Sequence, residues 1–504
     1  SIVPGGLSTI KSLDKAILEA KKIGYPLMVK ASAGGGGKGM RIAFNENELK
    51  ENFNSAINEA KSSFGDDRVF MEKFIEFPKH IEIQVLGDQF GNFIHLGERE
   101  CSIQRRHQKI IEEAPSAFLD DATRKKMGEQ SVRLAKQVKY YSAGTVEFVV
   151  DKNRKFYFLE MNTRLQVEHP VTEEVTGIDL VKEMIRIAQG EKLSLTEKSL
   201  NTEGWAIEAR LCSEDPEKEF LPSAGKIKKM VFPDRVRVDK GYIEGDTVSI
   251  YYDSLLAKII AKGKNRQEAI SKITQSLEVM NIDGIQTNQD FLINILLTKE
   301  FGLSNIDTNF ISNQYKQGFN GKTNDMNMIE IKAITALSNE LKYLKEVNKD
   351  LTKISKKWTL VLEKKLFHYR LQAINESKLI LIKDNKKFFI ELYIDPISLI
   401  NKIKINDNFY NLRVIKNENS YKVFYSGYYS EINVFKNLEY QSFKNLPKNT
   451  LKTENNYLIS PMPGKVVDVL VKKNDIVNAG ETLIILDAMK MENVLKSDSK
   501  IKVI

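Results

Sequence analysis

Only two cysteines, Cys101 and Cys212, occur among the 504 residues, too few and too far apart for a disulfide framework, and a reducing compartment is favoured. A zinc site is unsupported for a related reason. The five histidines, His80, His95, His107, His169 and His368, never fall at metal-ligand spacing from one another or from either cysteine. Long apolar runs are missing as well, and nothing approaches the roughly 18 residues that a membrane helix needs. Neither sign of charge dominates. Lysine and arginine (76) exceed aspartate and glutamate (67) by nine, a mild excess spread along the chain. Such a balance does not call for nucleic acid, and a phosphate-rich anionic substrate fits it equally well. What is present is ordinary globular composition, 42% hydrophobic and 28% charged. At this length the chain exceeds one compact core, so several domains are expected.

The chain opens on Ser-Ile-Val-Pro-Gly-Gly, which reads as a loop from the middle of something, without a visible signal or transit peptide. Apolar residues at helical spacing (Leu13, Ile17, Ala20) predict a helix over 12–23, stopped by Gly24. A buried strand over 25–31, a strand over 40–44, a helix over 46–62 and three strand-like runs between 69 and 96 follow. Next come a helix near 122–138 and a strand pair over 145–150 and 156–167. This mixture argues for α+β rather than a regular βαβ repeat. Residues 320–328 are polar and glycine-bearing, a plausible boundary, and 329–347 forms one amphipathic helix. From 358 to 443 the runs become short, β-branched or aromatic, split by Asn, Asp and Gly turns, which predicts an all-β barrel or meander with one helix. Residues 444–456 look like a solvated tether, and 457–504 like a small β module.

Five glycines in six positions over 34–39, following Lys30 at a strand end, offer bare backbone N–H groups to phosphate oxygens. A hairpin tip rarely needs more than two glycines, so phosphate binding is the better reading. It is not a Walker A loop, which ends in Gly-Lys-Ser/Thr before a helix. On the strand expected through residue 167, Glu160, Asn162, Arg164, Gln166 and Glu168 share one face, and Met161, Thr163, Leu165 and Val167 the other. A solvent-facing strand would alternate too. Yet two carboxylates, two amides and a guanidinium together suit a Mg²⁺ ion with a small oxyanion, and Glu147 on the neighbouring strand faces Glu160. The run 100–109 could be plain surface; beside the glycine loop it becomes a candidate anion wall, with His107 and Lys109 on one face of an extended segment. Finally, Asp487-Ala488-Met489-Lys490-Met491-Glu492 places a lysine at a hairpin tip downstream of Pro461-Met462-Pro463-Gly464.

On these motifs (25–40, 98–115, 144–148 and 160–172) the chain closely resembles the biotin carboxylase component of biotin-dependent carboxylases, an ATP-grasp enzyme. Ala488-Met489-Lys490-Met491 resembles the biotin attachment signature of a carrier domain. The resemblance covers roughly residues 1–320 and 458–504 and implies an α+β multidomain protein. Its parts are an ATP-grasp core made of a B-type subdomain (1–75) and a biotin carboxylase C-terminal subdomain (76–322), a helix plus antiparallel barrel that docks a partner subunit (328–448), and a partial biotinyl β sandwich (457–504). It also implies that both ends of the family's fold are incomplete here, so that the isolated chain would be weakly active or inactive.

Residue by residue, Lys30, Gly36, Gly37, Glu72, Lys73, Ile75, His80, Gln104 and His107 match the family's ATP-binding positions. Glu147, Glu160 and Asn162 match its Mg²⁺ or Mn²⁺ ligands, with Glu160 also counted toward ATP. Lys109, Arg164, Gln166 and Val167 match bicarbonate contacts, Glu168 the general base and Arg210 the arginine set against biotin. Lys490 matches the biotinylated lysine. The implied partners are a carboxyltransferase β subunit, in a dodecamer of equal numbers of α and β subunits, and a biotin protein ligase, with neither nucleic acid nor membrane. The implied compartment is the cytoplasm in a bacterium or the mitochondrial matrix in a eukaryote. Stretches such as 62–67, 183–186 and 204–208 are similar to propionyl-CoA carboxylase α subunits, with methylcrotonyl-CoA carboxylase α subunits close behind. A different ATP-grasp ligase and a non-enzymatic carrier or scaffold are the rival readings.

Overall fold

The computed structural model describes residues 2–6, 9–33, 40–195, 201–347, 354–363, 365–375, 378–418, 420–445, 457–460, 465–488 and 491–504. It divides into two compact units: Ser1–Ala209 with Ile260–Lys272 and Lys299–Lys316, and the remainder.

In the first unit, α1 (Leu13–Ile23), β1 (Leu27–Ala31), β2 (Met40–Ala43), α2 (Glu46–Phe64) and β3 (Val69–Lys73) make a small lobe. Its antiparallel sheet has the order β2-β1-β3. α2 begins where Asn45 accepts the Glu48 N–H and the Glu48 carboxylate accepts the Phe44 N–H, a reciprocal cap, and ends on left-handed Gly65. Leu49, Phe53, Ala56 and Ala60 then fall on one stripe and pack against Leu27, Val29 and Met71.

The larger sheet of this unit is built from β4 (Lys79–Gly87), β5 (Phe93–Arg105), β6 (Gln108–Ala114), β7 (Ser142–Val150), β8 (Phe156–Asn162) and β9 (Trp205–Cys212), with α3 (Asp121–Gln137) inserted after β6. Within an eight-stranded sheet that continues past β9, these six run in the order β9-β6-β5-β4-β7-β8. Alternation splits the strands cleanly. Ile81, Ile83, Val85, Val146, Phe148 and Val150 pack with Met127 and Ala135 of α3, which turns His80, Glu82, Gln84, Thr145 and Glu147 to the opposite face. Onto β5 and β6 folds α4 (His169–Thr176), whose Val171 and Val175 meet Ala114 and Ala206.

Two expectations fail here. The strand predicted through residue 167 stops at Asn162, because 163–168 bends away to reach side chains across the sheet and Pro170 opens α4. His107 does not share an extended segment with Lys109: Arg106 and His107 are a left-handed two-residue turn (φ 49° and 64°) between β5 and β6.

In the second unit, the helix Met326–Val347 is buried without a break from Lys332 to Ser338. Around it closes an eight-stranded antiparallel barrel running from Lys357–Leu362 to Tyr428–Lys436, which pairs back to the first strand. Trp358, Leu360, Leu381, Ile403, Leu412 and Val423 meet Ile334, Leu337 and Leu341 of the helix. Past the last barrel strand, Asn437–Lys444 forms a short helix. Arg413 of the barrel donates to the Gln289 and Asp290 side chains, both at 2.6 Å. Near the C-terminus, Lys465–Val469, Thr482–Ala488 and Met491–Lys496 form one sheet, with Ala488 opposite Met491. The Pro-Met-Pro-Gly turn and Lys490 lie outside the described residues, as does the glycine loop with Gly36 and Gly37.

Candidate active site

Strand register builds a charged row across the polar face of the larger sheet. Glu82 lies opposite Arg99 on one side and Glu147 on the other, and Glu147 lies opposite Glu160. One residue pair further along, Gln84, Thr145 and Asn162 form a second row. Lys109 reaches in from β6, opposite Gln104.

Its ammonium is the hub. Lys109 Nζ lies 2.5 Å from Glu82 Oε2, 2.6 Å from Glu168 Oε1 and 3.0 Å from Glu147 Oε1. Burial alone would lower its pKa, but the carboxylates, Glu82 foremost, outweigh that and hold it far above the lysine range. Burial likewise opposes ionisation of Glu82, yet Lys109 and Arg99 bring its carboxyl down to about 2. Glu147 follows the same pattern: against burial, the bond from His80 and the charge of Lys109 keep it well below the usual carboxylate range. His80 Nε2 stands 2.8 Å from Glu147 Oε2.

Arg99 is wholly inaccessible, and each of its five N–H groups has a partner. Nε meets Glu82 Oε1 at 2.5 Å, Nη1 meets Gln84 Oε1 at 2.7 Å and Thr172 Oγ1 at 3.0 Å, and Nη2 meets Thr145 Oγ1 and Gln166 Oε1 at 3.1 Å. Gln166 in turn donates from Nε2 to Glu147 Oε1 at 2.7 Å. The bend after β8 is therefore clamped to the sheet by side chains rather than by a strand ladder.

At the open end of the row, Asn162 Nδ2 lies 2.9 Å from Glu147 Oε1 and 3.4 Å from Glu160 Oε1, and exposed Arg164 donates to Asn162 Oδ1 at 3.3 Å. Two carboxylates and an amide thus converge, a hard oxygen set that fits Mg²⁺ or Mn²⁺ once the amide turns its oxygen inward. The neighbouring cluster of His80, Glu82 and Glu147, with ligand atoms within 4.8 Å of one another, is already charge-compensated by Lys109.

The expected nucleotide side is partly assembled. Lys30 is ion-paired with Glu72, and Lys73 donates to the Gly24 and Tyr25 carbonyls. Gln104 Nε2 lies 2.9 Å from His80 Nδ1. Burial and the nearby charges of His80 and Lys30 lower the His107 pKa. Ile75 follows β3 and is half-buried, as is Val167 in the turn before α4. Arg210 lies on β9 at the start of the second unit, where its carbonyl accepts from Asn288 Nδ2 at 3.0 Å.

Glu82, Gln84, Arg99, Thr145 and Thr172 were not anticipated. The signal existed in His80-x-Glu82-x-Gln84, a polar alternation within an otherwise apolar strand, the same pattern that flagged Glu160 and Asn162.

Comparison with known proteins adds independent findings. Residues 1–196 match the family described as "Carbamoyl-phosphate synthase L chain, ATP binding domain", 208–313 the "Biotin carboxylase C-terminal domain" and 456–503 "Biotin-requiring enzyme". The propionyl-CoA carboxylase alpha chain of Ruegeria pomeroyi is 39% identical over 99% of this chain and 78% of its own length. The human mitochondrial propionyl-CoA carboxylase alpha chain is 40% identical over 97% and 70%. The mitochondrial methylcrotonoyl-CoA carboxylase subunit alpha of Rattus norvegicus is 38% identical over 96% and 70%. Among solved structures, the biotin carboxylase domain of Hydrogenobacter thermophilus 2-oxoglutarate carboxylase, in complex with MgADP and bicarbonate, has a TM-score of 0.60 at 47% identity, covering 62% of this chain and 70% of that one. The biotin carboxylase–β-γ-ATP complex from Campylobacter jejuni gives a TM-score of 0.60 at 46% identity with the same coverage.

Proposed function

Because the chain belongs to the family of biotin-dependent acyl-CoA carboxylase α subunits, we propose that it carboxylates biotin for a propionyl-CoA carboxylase, with carboxyl transfer to the acyl-CoA completed on a carboxyltransferase β subunit. That it is a biotin carboxylase of the ATP-grasp ligase type follows from the family itself. The observation that carries the residue assignment is the Lys109 hub. Glu82, Glu147 and Glu168 all converge on the Lys109 ammonium, with Arg99 on Glu82 and His80 on Glu147 completing the charged row. Glu168 thus stands beside a fixed cation, placed to take from an anion held by that cation its proton.

Bicarbonate is a weak nucleophile until it loses one. In this reading, Lys109, Arg164, Gln166 and the backbone of Val167 hold the anion, and Glu168 takes its proton. Oriented against ATP, the resulting dianion attacks the terminal phosphoryl group and gives carboxyphosphate and ADP. Lys30, Glu72, Lys73, Ile75, His80, Gln104 and His107, with Gly36 and Gly37, hold the nucleotide. Glu147, Glu160 and Asn162 would hold Mg²⁺ or Mn²⁺, which supplies charge neutralisation to the phosphates. Biotin on Lys490, attached by a biotin protein ligase, supplies the acceptor nitrogen, and Arg210 takes the role of the family's biotin-stabilising arginine. A tether makes carboxyl delivery to the second site a matter of effective concentration.

The acyl substrate is tested on the native complex with propionyl-, acetyl- and methylcrotonyl-CoA. Preference for propionyl-CoA is expected. Preference for methylcrotonyl-CoA would instead favour the second reading, which the rat relative keeps open.

A further inference from the structure

We propose that Arg99, which lies out of reach of any substrate, is a positioning residue that fixes the polarity of the bicarbonate-facing side of the site. The inference rests on the carboxylase reading above and deepens it. A guanidinium offers only donors, so every group it touches must turn an acceptor toward it. Gln166 therefore points Oε1 at Arg99, leaving Nε2 for Glu147 and one further N–H for an anion. Gln84 is set the same way, its oxygen on Arg99 and its Nε2 on the Gly144 carbonyl at 2.9 Å. Through Nε, Arg99 occupies one oxygen of Glu82 and leaves the other to Lys109. One buried side chain thus orients both Gln166 and Lys109, the two inner groups assigned to bicarbonate, and does so through acceptors drawn from β4, β7, the 163–168 bend and α4.

A lysine at this position keeps the charge but cannot meet acceptors lying around a planar fork. Gln166 would then be free to turn its oxygen toward the anion, which repels it. Arg99→Lys in the native holoenzyme is expected to raise the bicarbonate KM by about tenfold or more, the scale of one lost charge-assisted hydrogen bond. The KM for ATP should stay within about twofold. In a Gln166→Met background the same change should raise the bicarbonate KM by clearly less than in the wild-type background, because one of the two groups through which Arg99 acts is gone. Should Arg99→Lys fail to fold, Thr145→Val removes one acceptor without altering charge, and a rise of a few-fold in the bicarbonate KM alone is expected. An unchanged bicarbonate KM, or equal rises for both substrates, would overturn the proposal for either variant. A wild-type holoenzyme without bicarbonate-dependent ATP cleavage would overturn the carboxylase reading as well, whereas an active wild type with unresponsive variants overturns the Arg99 role alone.

Discussion

Replacing Lys109 by methionine keeps the length and apolar stem of the side chain and removes one buried positive charge. Three carboxylates, Glu82, Glu147 and Glu168, now hold a hydrogen-bonded ammonium within 3.0 Å. In the variant Arg99 stays on Glu82 and His80 on Glu147. Leaving a buried charge uncompensated typically costs about 3–5 kcal/mol. The Glu82 carboxyl gives a second measure of the same scale: its shift from 4.5 to about 2 corresponds to roughly 3 kcal/mol at about 1.4 kcal/mol per unit. Its sign is that of a depressed acid, so this stability is present above pH 4.5 and is lost as pH falls through 2. Lys109→Met should invert that slope, since protons added to the carboxylates replace the missing charge. Urea unfolding at pH 7 and pH 5 reads both effects. The variant should be less stable by several kcal/mol at pH 7 and recover part of the loss at pH 5. Wild-type stability at pH 7, or a loss that deepens at pH 5, would refute the hub argument.

Lys332, fully buried on the helix inside the barrel, has an ammonium without a hydrogen-bond partner among the described residues, and burial lowers its pKa to about 8. A lysine whose folded pKa lies below its unfolded one destabilises at low pH, so stability should rise between pH 8 and 10.5; Lys332→Met should gain about 1–3 kcal/mol at pH 7 and flatten that rise, and a destabilised variant contradicts the reasoning. Arg413→Ala removes two 2.6 Å bonds to Gln289 and Asp290 and a contact over Phe424, and should cost about 2–3 kcal/mol in unfolding followed through Trp358. A change below about 0.5 kcal/mol would mean that Arg413 does not anchor the barrel.

Much of this site was legible residue by residue, because Glu160, Asn162, Gln166, Glu168 and Lys109 combine chemistry with a specific motif. Local geometry was less so. Alternating polarity cannot distinguish a strand from a bend whose side chains are caught by distant partners, and this is why the strand expectation ran five residues past Asn162. His107 was misplaced for want of a glycine, since the turn at Arg106 and His107 is left-handed without one. The Glu82–Arg99 pair was invisible because a buried ion pair spells like a solvated one until register brings its partners together. In the barrel, strand alternation predicted the wall, yet Lys332, Thr335 and Ser338 made the helix look amphipathic when its middle, Lys332 to Ser338, is buried on every side.

The central claim is that Glu168 takes the proton that makes bicarbonate a nucleophile, while its neighbours only hold and orient. Transfer of labelled bicarbonate to protein-bound biotin in the native holoenzyme, dependent on ATP, tests it most directly when wild type is compared with Glu168→Gln. ATP-dependent label on wild type, with label on the variant reduced on the order of a hundredfold or more and ATP binding retained, is the predicted result. Label on the variant at the wild-type rate would contradict the account.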